Sequence, residues 1–180
     1  MATPDSRNLL HIYLTDHLAA AAGGVALARR VARSHSDTGD AERLQRLADD
    51  IAADRGALQE ILRSLGLPAR RYKSMAVWAA EKGGRLKLNG RLVRRSPLSD
   101  LVEVEALRLA VEGKAAGWRT LLTVADQEPG LDAGQLRTLL ERATAQAELL
   151  QELHEKAARR AFLQTNRDSG TNRSKPVTTR

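Results

Sequence analysis

His17, Asp54, Lys114 and Gln146 each interrupt an apolar stripe of helical period near the middle of a long amphipathic segment. An imidazole, a carboxylate, an ammonium and an amide held at one level could hydrogen-bond one another and fix the register of packed helices. The same four could also surround a ligand or a metal ion. A third reading turns the stripes so that these side chains face water. Burial of unpartnered polar groups in an apolar seam is costly, because their hydration is lost without replacement. Pairing is therefore expected, His17 with Asp54, and Lys114 or Glu112 with Gln146 and neighbouring carboxylates.

The elements that must position these residues follow from periodicity and punctuation. Helix one is expected over about 9–33, with Leu10, Leu14, His17, Ala21, Gly24, Ala28 and Val31 recurring in steps of three and four. After a loop over 34–40, Asp40 is placed as the N-cap of a second helix, about 41–65, striped by Leu44, Leu47, Ile51, Asp54, Leu58, Ile61 and Leu65 and stopped by Gly66 and Pro68. Ser96 and Pro97 open a third, about 97–126, with Leu107, Val111, Lys114, Trp118, Leu121 and Ala125 in line. Pro129-Gly130 breaks it. Asp132, three residues before Gln135, has capping-box spacing and opens a fourth helix, about 133–162, carrying Leu136, Leu139, Ala143, Gln146, Leu150, Leu153 and Ala157.

Between the second and third helices, residues 70–95 form a long basic crossover. Within it Ser74–Lys82 has the makings of a short helix, and Asn89-Gly90 between two short runs signals a small β-hairpin over 85–95. Residues 1–8 read as an N-terminal extension. Residues 164–180, rich in Asn, Ser, Thr and Arg, read as a disordered basic tail.

The net charge of +7 is unevenly spread. Arg70–Arg95 holds nine basic residues and one acidic, a surplus of eight, and Arg159–Arg180 holds six and one, a surplus of five, which leaves −6 for the rest. An acidic bundle thus carries two basic appendages. The absence of cysteine excludes disulfides, thiolate metal sites and a cysteine nucleophile. The longest apolar run, Leu18–Ala28, is 11 residues, well short of the roughly 20 that span a bilayer. No signal-peptide pattern precedes it, so a cytoplasmic location is expected.

Two long helical hairpins joined by a crossover, with polar residues projecting inward at mid-bundle, resemble the ferritin-like superfamily over about 9–163. The segment from Gly84 to Ser99 is similar to that of a group of uncharacterised actinobacterial ferritin-like proteins. The resemblance implies an all-α, antiparallel four-helix bundle. It also implies a di-iron or manganese centre, built in that superfamily from a Glu on each of two helices and Glu-x-x-His on each of the others. The positions here that could stand for those ligands are Asp16, Asp54, Glu105, Glu112 and His154. The pattern is degenerate: Ile51 occupies the place three residues before Asp54, Lys114 sits beside the helix-three acids, and Gln151 precedes His154 where Glu is usual.

Catalysis finds little support, since His11, His35 and His154 have no Ser or Cys nucleophile at a recognisable spacing. The leading expectation is a non-catalytic bundle without cofactor, acting through a partner or by self-association as a homo-oligomer. Its buried polar layer takes the place of a di-iron centre. The first alternative is a di-iron oxidase or iron-handling protein. The second is an interaction with nucleic acid, an acidic protein or an anionic surface through Arg70, Arg71, Lys73, Arg85, Lys87, Arg91, Arg94 and Arg95, whose cations could neutralise phosphates.

Overall fold

The computed structural model describes residues 4–67 and 96–164. Among them the chain is all-helical, with four long helices and no strand: α1 (Pro4–Ser34), α2 (Ala41–Ser64), α3 (Pro97–Val124) and α4 (Ala133–Arg159), the last continued by a π-helical turn, Arg160–Gln164. The short helix at 74–82, the hairpin at 85–95, the basic patch of 70–95 and the tail from 165 lie outside the described residues. None of the described helices is long and apolar enough to cross a membrane.

The helix ends show which local signals act. Ser96 accepts from the Ser99 N–H at 3.3 Å ahead of Pro97, and Asp132 accepts from Gly134 and Gln135 N–H at 2.7 and 3.1 Å. Both are cap positions whose side-chain oxygen replaces a missing intrahelical acceptor. At the end of α2, Gly66 takes a φ of +67°, a left-handed conformation that glycine adopts without a Cβ penalty. It lets Gly66 N–H reach Arg63 O and Leu67 N–H reach Leu62 O, the paired bonds of a Schellman stop.

Two expectations are corrected. Asp40 makes no side-chain cap bond, because its carboxylate instead accepts from Lys156 at 2.9 Å and Arg43 at 3.4 Å. The first helix begins earlier than the expected position near residue 9, since α1 starts at Pro4. Asp5 in its first turn complements the helix dipole, and the Arg7 guanidinium donates to Leu65 O at 3.0 Å, tying this early turn to the end of α2.

Every stripe position of α2 and α4 is buried, Asp54 and Gln146 included, and so are Leu107, Val111, Trp118, Leu121 and Ala125 of α3. Helix α1 packs on α2 and on α3, and α4 packs on α3. The contacts between α1 and α3 rise in one helix as they fall in the other: Arg30 meets Glu103 at 2.9 Å, and His17 lies against Gly117. Those between α2 and α4 do the same, Asp40 with Lys156, Arg43 with Glu152 at 2.6 Å, and Asp54 with Arg142.

The core falls into two clusters. One gathers Leu14, Leu58, Leu62, Trp118, Leu121 and Leu136, and the other Val31, Leu44, Leu47, Leu107, Leu150 and Leu153. On each helix the polar stripe residue falls between the stretches contributed to the two clusters, as Asp54 does between Ile51 and Leu58. A polar layer thus divides the apolar interior.

Candidate functional site

Asp54 is the centre of that layer and is only 1% exposed. Lys114 Nζ donates to its Oδ2, and Gln146 Nε2 donates to the same oxygen at 3.2 Å. Its Oδ1 accepts from Arg142 Nε at 2.8 Å and from Arg142 Nη2. Lys114 Nζ also donates to Gln146 Oε1, closing a ring across α2, α3 and α4. A buried carboxylate facing two cations and an amide has its lone pairs filled, which is what makes burial of the charge tolerable. The two cations are wetter than the anion, with side-chain exposures of 16% for Lys114 and 35% for Arg142.

Burial pushes the Lys114 pKa down from 10.5, since the charged form loses hydration. Asp54 opposes this by attraction and by its hydrogen bond, and Asp50 adds a weaker pull, while Arg142 repels.

The expected pairing of His17 with Asp54 is not found. The imidazole lies instead against Tyr13, ring centres 4.5 Å apart, and over Gly117 of α3, where an added Cβ would stand 3.0 Å from its Cε1. Gly117 is buried because this ring covers it. Both Asp54 oxygens are already occupied by Lys114, Arg142 and Gln146, and burial lowers the His17 pKa from 6.5 against the opposing attraction of Asp16. Among the described residues His17 makes no hydrogen bond.

Glu112 departs from expectation as well. It is exposed, because two residues along a helix are turned about 200° apart, so that with Lys114 inward Glu112 must face water.

The residues suggested as metal ligands do not converge. Asp16 and Glu112 are exposed, Asp54 is filled by cations, and Glu105 pairs with His154 at 3.4 Å on the outside of α3 and α4. Among the described residues no three His, Asp or Glu stand close enough to share an ion. A dication at mid-bundle would meet the Lys114 and Arg142 charges, so this donor set does not fit a di-iron centre.

Arg142 is the participant that periodicity misses, since it sits at the edge of the α4 stripe. A signal was present: it lies one turn before Gln146, so both side chains cover the same face. A long side chain of this kind can bury its stem and still send its head inward to a charge.

Beside the layer lies a cavity of about 190 Å³ bounded by α1, α2 and α3. Its walls are chiefly apolar, from Leu14, Ala21, Ile51, Leu58, Val111 and Leu121, and His17, Asp54 and Lys114 also border it. Small residues at Ala20, Gly24, Ala110 and Gly113 leave room between α1 and α3.

Comparison with protein-family models, with curated proteins and with solved structures found no match to this chain.

Proposed function

We propose that this chain is a non-catalytic, ferritin-like helical bundle that acts by binding, with a charged hydrogen-bonded layer in place of a di-iron centre. The observation that carries the reading is the saturation of Asp54 by Lys114, Arg142 and Gln146. Ligands for iron must be free carboxylates and imidazoles, and among the described residues the central carboxylate, Asp54, is committed to two cations.

The ferritin-like arrangement is supported by the order of contacts. With α1 opposing α3 and α2 opposing α4, Leu65 stands at the end of the bundle where Arg7 lies, while Asp100 stands near His35 at the other end, 3.9 Å from its ring. The end of α2 and the start of α3 therefore stand at opposite ends of the bundle, about 36 Å apart for the 24 residues of α2 at 1.5 Å each. A long crossover of this sort marks ferritin-like bundles, whereas an up-and-down bundle needs only short links.

Elemental analysis of the full chain purified without chelator tests this. The expected result is well under one iron or manganese ion per chain, and no oxidase turnover on adding ferrous iron. Roughly two ions per chain, the stoichiometry of a di-iron bundle, would overturn the reading.

A further inference from the structure

The cavity beside the polar layer has a lopsided hydrogen-bonding inventory. Around it, the acceptors of the layer are taken: both Asp54 oxygens and Gln146 Oε1 already receive hydrogen bonds. Donors remain. An ammonium has three N–H groups, and Lys114 uses one for Asp54 and one for Gln146. The His17 imidazole at the cavity wall has no protein partner among the described residues. Two further lining residues, Trp118 and Arg55, carry buried N–H groups, Nε1 and Nε, without an acceptor among the described residues.

Charge points the same way. Within the layer Asp54 contributes −1 and Lys114 and Arg142 together +2, a surplus of one positive charge. Asp50 on α2 offsets it in part by its attraction for Lys114, and Asp16 acts on His17 from the exposed side of α1. The remaining walls are chiefly apolar, with Tyr13 and Arg55 the other polar side chains on them. A dry apolar cavity of about 150 Å³ accommodates benzene, so about 190 Å³ has room for a ring or short chain with one small polar group.

We infer that this cavity is a binding site for a small apolar monocarboxylate, of the size of benzoate or hexanoate, held by its carboxylate on Lys114 and His17 and by its hydrocarbon on the α1, α2 and α3 walls. Lys114 supplies the charge and one free N–H. His17, fixed by Tyr13 and by the missing Cβ of Gly117, stands on the adjoining wall as a second donor. This assignment rests on the reading of the bundle as a binding protein and gives its ligand a chemical class.

The test is calorimetric titration of the full chain with benzoate and hexanoate, each against a neutral counterpart of matching shape, toluene and hexanol. Both carboxylates are expected to bind more tightly than their counterparts by roughly ten- to a hundredfold, the worth of a hydrogen bond to a charged group. Lys114→Met should remove that preference while leaving toluene binding nearly unchanged. Ala21→Phe, which fills the cavity from a half-buried wall position, should abolish binding of both classes. Equal binding of acid and neutral counterpart by the parent chain overturns the carboxylate assignment, and so does failure of both acids to bind at millimolar concentration. Both of these outcomes are read on the parent protein and do not depend on whether a variant folds. A negative titration with a metal-free chain discards the site alone, whereas about two metal ions per chain discards the bundle reading itself.

Discussion

Asp54→Ala is the substitution with the largest expected consequence, and its size can be worked from the layer. Removing one partner of a buried ion pair generally costs about 3–5 kcal/mol, because the other charge is left without compensation. Here three donors lose their acceptor at once. Arg142, about a third exposed, can swing into water, while Lys114 can reach it only in part. Gln146, 4% exposed, cannot reach it without moving α4. The lower end of the range follows, about 3 kcal/mol, with Lys114 responsible for most of it. For a domain of this length that corresponds to a fall in Tm of about 6–12 °C. Urea denaturation followed by far-UV circular dichroism measures it. A change within about 0.5 kcal/mol, the range of ordinary surface positions, would refute a buried layer. A companion variant sharpens the test. Replacing Asp54, Lys114, Arg142 and Gln146 together by Leu, Met, Met and Leu removes charges and partners alike, and is expected to be more stable than Asp54→Ala alone.

His17 is expected to make the fold acid-sensitive. Its folded pKa lies below 6.5, so between the two values the unfolded chain binds the proton and the folded chain does not. Stability should therefore fall as pH drops below about 6.5, and fall less in His17→Gln, as read from thermal melts across pH 4.5–7.5. Lys114 works in the same sense at the alkaline end: its folded pKa is below 10.5, so its contribution should improve as pH rises towards that value, and Lys114→Met should flatten that limb. At Gly130 an added Cβ would stand 2.9 Å from Ser64 O, so Gly130→Ala must part the α3–α4 loop from α2 and should destabilise by about 1–3 kcal/mol in chemical denaturation. Gly23 is the opposite case, exposed within α1 with nothing within 4 Å of an added Cβ, and Gly23→Ala should raise stability by about 0.5–1 kcal/mol in the same assay.

The four helices and the faces they bury were legible in the chain itself. A stripe repeating every three to four residues has only one way to hide from water, and Gly66, Pro97, Gly130 and Asp132 act on the backbone within a turn or two of their own positions. The presence of a polar layer was legible for the same reason, since Asp54, Lys114 and Gln146 interrupt stripes that are otherwise apolar. Which groups pair within the layer was decided by tertiary structure. His17 and Asp54 occupy neighbouring levels on paired helices, yet Asp54 is shared by Lys114 and Arg142, because long cationic side chains from α3 and α4 reach it and occupy its oxygens. Arg142 shares a face with Gln146 in the sequence, but that it reaches Asp54 is decided by the packing of α2 beside α4. Glu112 was excluded by the two-residue offset that sends it outward when Lys114 turns in. The cavity, too, is a property of three helices together: Ala20, Gly24, Ala110, Gly113 and Gly117 are ordinary small residues taken singly, and only when α1 meets α3 does the lack of side-chain volume on both leave space beside a surplus of donors.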